Sequence, residues 1–458
     1  MTRSRWSAAL AALSLSACNL PEDAEVPTAK AEAALCSPVS NTDVSRSLAV
    51  TDATVLAKFS FERTMRQLLS SAQVAGTETP KTVYQRWMSS FAVTQPGVDP
   101  EAYGLVNPRQ PEAALATVNP FRVDGKTSFE PIALFNRLDL APASGATCGE
   151  YRIVYALRST QVSGRALIIF EGALPNPHPE LRVDGCLDVA LFWQGLTADT
   201  DANSRAAKLE AFFYAGTAIP GVAPVVQASS YGLATNGRRT GQIRTNFFIE
   251  GIEWNLREFQ LARPCTDGVC TLEFNHVTVK ANPALILATD DHARSATFQS
   301  QFVRRMASLT GTDVARIGLK VNDVHNTFES ISQRPVHTDY AAAASAGFKS
   351  AIAAQSGALT ADDVLHRAQT QTCAGCHQAS NGVNLGPGVD GPRWPPSNGF
   401  THVNELSRPA RLSLALTDVF LPHRKQVLED FINSRCSGLT TQVEDGLTLG
   451  GSVEGAAN

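Results

Sequence analysis

Methionine is scarce in this chain, four residues in 458, and none follows Met306. The last third of the sequence therefore offers no thioether side chain to a metal. No stretch reaches the roughly 18 uninterrupted apolar residues of a spanning helix, so any membrane attachment has to come from a tether. Neither sign of charge dominates: 39 Lys and Arg stand against 43 Asp and Glu, a net charge of −4, which gives no electrostatic ground for expecting nucleic acid as a partner. A phosphate-binding glycine loop, a hydrolase triad and a zinc-protease motif are all missing. What is present is ordinary for a globular chain, 43% hydrophobic and 18% charged residues, with length for two or three domains.

The N-terminus reads as an export signal. Arg3 and Arg5 make a short positive region, residues 6–15 form an apolar run too short to cross a bilayer, and Leu15-Ser16-Ala17-Cys18 follows. That tetrapeptide resembles the lipobox of bacterial lipoproteins, which implies removal of residues 1–17 and lipidation of Cys18. Asn19, where that family commonly carries Asp to signal inner-membrane retention, points to an anchor in the outer membrane. Residues 18–47, rich in Ala, Glu, Pro and Ser, then read as a spacer between lipid and folded body.

Nine cysteines fit an oxidising compartment. Setting aside Cys18, Cys373 and Cys376 leaves an even six. Cys265 and Cys270 bracket a four-residue turn between strand-like runs and are the firmest pairing; Cys148 with Cys186, and Cys36 with Cys436, follow by proximity alone.

Periodicity divides the rest. Helix-like spacing of Phe59, Phe61, Met65, Leu68 and Leu69, with Trp87, Met88 and Phe91 after it, precedes a region of short β-branched and aromatic runs at 131–140, 151–157, 165–170, 244–256 and 271–279. Within residues 48–290 these predict an antiparallel, sandwich-like, strand-rich domain. Asn136, Arg137 and Asp139 interrupt one apolar run and read chiefly as a structural ion pair, with a ligand site as the sharper alternative. Helical spacing returns over residues 291–438, and Thr360-Ala361-Asp362-Asp363 is a capping signature opening a helix with Val364, Leu365 and Ala368 inward. Residues 439–458 read as a loose polar tail.

That helix leads into Cys373-Ala374-Gly375-Cys376-His377. In helical geometry Cys373, Cys376 and His377 stand at i, i+3 and i+4 and share a face, as two thioethers to one porphyrin and an imidazole on its iron require. A Cys373–Cys376 disulfide explains the thiols but not His377. Zinc needs further ligands, for which His402 or His423 are the nearest candidates. From about residue 358 to 438 the sequence resembles the c-type cytochrome domain: a helix ending in the motif, a loop through Leu385-Gly386-Pro387-Gly388 and Arg393-Trp394-Pro395-Pro396, and a terminal helix with Val427, Leu428, Phe431 and Ile432 as its stripe. The resemblance implies an all-α domain, one covalent haem c on Cys373 and Cys376, His377 as iron ligand, and an electron-transfer role with a partner protein still to be named. Many members complete the iron with a methionine after the motif. Here that position falls to His402, with His423, Met306 or an open site as alternatives, and Arg393 and Trp394 are candidates for the haem propionates. An open site would favour peroxide chemistry; a purely structural motif would leave a non-enzymatic envelope binding protein.

Overall fold

The computed structural model describes residues 38–94, 104–121, 126–232, 241–251, 253–332 and 338–436; Cys18 and Cys36 lie outside them. A single eight-stranded antiparallel sheet occupies the middle of the fold, with strand order β1-β2-β3-β4-β5-β6-β10 and β9 sharing the β6 edge with β10. Its long members are β2 Thr127–Arg137, β3 Thr147–Ser159, β4 Gly164–Pro175, β5 Gln242–Ile249 and β6 Asn255–Ala262, edged by β1 Ala49–Val50, β9 Glu273–Val277 and β10 Ser330–Ile331. A two-stranded hairpin, β7 Cys265–Thr266 with β8 Val269–Cys270, is clipped by the Cys265–Cys270 disulfide; Cys148–Cys186 is the second bond. Cys436 is also disulfide-bonded.

The period-two alternation of the strands gives this sheet two unlike faces. On one, Leu134, Ile153, Phe170, Ile243 and Phe259 run in register across five strands. The helices α1 Phe61–Ser71, α2 Pro80–Ser89, α3 Leu187–Gly195 and α4 Ala202–Glu210 contribute to the apolar core on this face. Phe61 meets Phe129, Tyr155 and Phe170; Trp87 stacks on Phe274; Trp193 stacks on Tyr151. On the other face Phe135, Arg152, Glu171 and Gln242 form one cross-strand row, with Arg137 opposite Glu150 and Arg244 opposite Glu258. A second sheet has nowhere to bury apolar surface against such rows, which is why the expected sandwich is wrong: the layers are helix, sheet, and an irregular C-terminal segment.

The expected all-α domain after the sheet is likewise overturned. β10, from within residues 291–438, is paired to β6 through Ser330–Leu256 and Ile331–Asn255, and a small hairpin, β11 Val403–Asn404 with β12 Arg411–Leu412, interrupts the loop after the motif. A second core does gather the helices α5 Ser295–Arg305, α6 Ala346–Ala353 and α7 Ala361–Thr370 around Phe298, Phe302, Phe348, Leu365 and Trp394. The terminal helix α8, Leu421–Cys436, does not lie across α7. Its stripe of Val427, Leu428, Phe431 and Ile432 joins the first core, against α3 and the turn at Leu138–Leu140. It also holds the first of the described residues: the Val39 amide donates to Asn433, whose side-chain amide donates back to the Val39 carbonyl, and the Thr42 amide donates to Glu429. Part of the expected spacer is thus folded.

Candidate functional site

The capping signature is realised: the Thr360 hydroxyl accepts from the Asp363 amide at 3.1 Å and the Asp363 carboxylate accepts from the Thr360 amide at 2.9 Å. Val364, Leu365 and Ala368 are buried. Arg367, also buried, donates to the carbonyls of Leu309, Gly311, Leu385 and Gly386, binding two loops to α7. The helix stops at Thr370, and Thr372 starts a fresh turn, its hydroxyl accepting from the Gly375 amide at 2.9 Å. The motif therefore follows a short break rather than continuing α7. Gly375 is required there, because a Cβ would stand 1.8 Å from the Gln369 carbonyl oxygen.

The backbone is helical from Cys373 and widens into a π-turn over Gly375–Ala379, departing from the α-helical geometry expected for the motif, and both thiols are free and half-buried. His377 Nδ1 lies 3.0 Å from the Phe400 carbonyl oxygen. A carbonyl only accepts, so this bond fixes the proton on Nδ1 and leaves the Nε2 lone pair available, the tautomer a metal-ligating imidazole needs. Phe400 reaches this position through a left-handed backbone, φ 69°, costly for a bulky residue. Its carbonyl also accepts from Asn246 on β5 at 3.1 Å, and its ring stacks on Trp254 at 5.1 Å.

His402 is the one sequence-predicted partner that the fold brings to the motif. Its ring lies 4.6 Å from that of His377, its Nε2 is 3.2 Å from Cys376 Sγ, and its Nδ1 meets the Ser413 hydroxyl at 2.9 Å. His423 stands in the first turn of α8 with its Nε2 buried and unbonded, and Met306 packs in the second core. Trp394 is buried in that core against Phe420, and Arg393 donates to the Gly382 carbonyl. Asn136 donates to Ser47 and accepts from the Leu138 amide, while Arg137 and Asp139 form a bidentate pair at 2.8 to 3.1 Å.

The motif rests on the charged face of the sheet. The Ala374 amide donates to the Ser330 hydroxyl of β10 at 3.0 Å, and Arg165 of β4 pairs with Glu405 while its guanidinium lies over Trp254. Behind it, Arg152 bridges Glu150 and Glu171, and Arg244 bridges Glu171 and Glu258. Burial governs the titrating groups. It holds His377 down at about 4 despite the Phe400 carbonyl, and keeps His402 well below the usual histidine range, helped by His377 and Arg424. It pushes the Cys373 thiol up to about 11 and Cys376 to about 12. At neutral pH the site therefore presents two neutral imidazoles and two protonated thiols.

The chemistry of this donor set, two free thiols, an imidazole whose Nε2 is open and a second imidazole nearby, is of the kind a covalent c-type haem would need. The ring spacing is the part that does not fit as it stands. Two metal–imidazole bonds of about 2 Å each, with the ring radii added, span more than the 4.6 Å observed, so iron between the rings requires His402 to move outward. For zinc, no three His, Cys, Asp or Glu groups among the described residues converge to hold an ion. Phe400, Ser413, Asn246, Ser330 and Trp254 escape a reading of the sequence because they come from four separated segments, and the only local signal is the glycine preceding Phe400. Compared with known proteins, the chain matches no protein-family model, no curated protein and no solved structure.

Proposed function

We propose that this protein binds one haem covalently through Cys373 and Cys376, with His377 on the iron, and serves one-electron transfer at the cell envelope, tethered to the outer membrane through lipidated Cys18. The observation that carries the reading is the conjunction, on one turn, of two free thiols and an imidazole whose Nδ1 is bound to the Phe400 carbonyl. Haem would supply a one-electron couple at its iron. The chain's own part is to orient His377 through Phe400, to back the site with the sheet, and to keep His402, which meets Ser413 at Nδ1, near enough that it could serve as a second imidazole ligand. His402 beside His377 favours electron transfer over an open peroxide-binding iron, since a second strong ligand takes the position that peroxide needs.

The test is a haem stain and absorption spectrum of mature protein made in a host with c-type maturation machinery. Haem that survives denaturing electrophoresis in the wild type and is lost in the Cys373→Ala, Cys376→Ala double variant is the expected result. A wild-type chain that emerges without covalent haem sinks the proposal.

A further inference from the structure

Asn246 is a polar side chain in an apolar setting. It stands in the middle of β5, 1% exposed, directly opposite Leu167 on β4 and Leu256 on β6. Asparagine is a poor strand former, and an apolar residue of the same size would suit both leucine neighbours. Among the described residues its Oδ1 has no hydrogen-bond partner, which costs free energy in a buried amide. Its Nδ2, by contrast, reaches off the sheet and donates to the Phe400 carbonyl oxygen at 3.1 Å. That oxygen is also the partner of His377 Nδ1, at 3.0 Å, and with two lone pairs it accepts both donors. The strand thus tolerates a half-satisfied amide whose one bond falls on the atom that orients His377. Phe400 needs such a hold, because its left-handed backbone, φ 69°, is costly for a bulky side chain. Three contacts from the sheet retain it: Asn246 on its carbonyl, Trp254 stacked on its ring, and Arg165 of β4 donating to the Gly399 carbonyl at 3.3 Å. Of the three, Asn246 alone bonds the oxygen that His377 uses.

We propose that Asn246 is a positioning residue for His377: it keeps the Phe400 carbonyl where that carbonyl fixes the imidazole through Nδ1 and leaves Nε2 free to bind. That Nε2 then meets iron rests on the function proposed above; the positioning itself does not. An imidazole that donates from Nδ1 is a stronger donor at Nε2, and such hydrogen bonding is one of the means by which a protein sets a haem's reduction potential. Here the control comes from the sheet, outside the segment that carries the motif.

The test is Asn246→Leu in the full mature chain, with Thr245→Val as the control. Thr245 is the next residue on β5 and faces the helices; it too is buried, with a hydroxyl that lacks a partner among the described residues. Both variants therefore remove a buried polar group from one strand, and only Asn246→Leu removes a bond to Phe400. In haem-free protein at neutral pH, the imidazole nitrogen NMR shifts of His377, assigned with His377→Gln, report one tautomer protonated at Nδ1 in the wild type and in Thr245→Val. Asn246→Leu moves them toward a mixture of the two tautomers. In haem-loaded protein Asn246→Leu raises the reduction potential, because an imidazole with a weaker Nδ1 bond donates less to the oxidised iron. Nitrogen shifts that stay at the wild-type values overturn the proposal, and so does an unchanged potential in haem-loaded Asn246→Leu. Shifts that move in a chain that never acquires covalent haem uphold the positioning while the function proposed above fails. Should Asn246→Leu not fold, Asn246→Ala also removes the donor and carries the same two readouts.

Discussion

At the scale of single residues, the site depends on which nitrogen of each imidazole is committed. His377 gives Nδ1 to the Phe400 carbonyl, which leaves its Nε2 to bind, while His402 meets Ser413 at Nδ1 and Cys376 Sγ at Nε2, so it would have to release that thiol to become a ligand. If His402 becomes the sixth ligand, haem-loaded protein has a low-spin absorption spectrum and His402→Ala turns it high-spin; a wild type already high-spin and responsive to peroxide would favour the enzymatic alternative. The same burial makes a prediction for the haem-free chain. His377, held at about 4, is neutral when folded at pH values where the unfolded chain, near 6.5, is protonated. Below pH 6.5 the unfolded state binds more protons, so stability is full above that value, falls as pH drops toward 4, and levels off below. His402 adds to the slope in the same direction. Asp139 and Glu150, both held near 2 by burial-opposed arginine contacts, act only at lower pH. Urea midpoints between pH 7.5 and 4.5 check this: His377→Gln flattens the slope, and an unchanged slope contradicts it. The sequence displayed His377 and His402 openly, but nothing local marked Phe400 and Ser413 as the groups that meet their Nδ1 atoms.

At the scale of elements, the motif turn is a separate unit set by Thr372 and packed on the last turn of α7. Its closeness is measured by Gly375, where a Cβ has no space beside the Gln369 carbonyl. Gly375→Ala therefore forces the turn off α7, costs about 1–3 kcal/mol as overpacking does, and lowers haem incorporation; thermal melts and the haem stain read both, and wild-type values for each would refute the account. The capping box at Thr360 was legible because its chemistry lies within four residues. The break before Cys373 was not, because Thr372 caps a turn that exists only through its packing on Gln369 and Ser330.

For the molecule as a whole, the segment that carries Cys373, Cys376 and His377 is no independent domain. β10 is paired into the sheet, Phe400 is held by Asn246, and α8 buries its stripe in the first core. A fragment of residues 358–438 accordingly shows no cooperative thermal transition by circular dichroism, whereas the full chain does; a cooperative fragment would restore the autonomous domain that the sequence suggested. By itself the sequence determined what depends on neighbours along the chain: the capped helix, the strand alternation and the Cys265–Cys270 clip. Only the tertiary structure decided that the strands form one sheet with a charged face, that this face backs the motif, and that the terminal helix packs into the first core. Those choices depend on which apolar surfaces find each other across hundreds of residues. The stripe on α8 is equally apolar whether it covers α7 or α3, so its periodicity cannot say which helix it will meet.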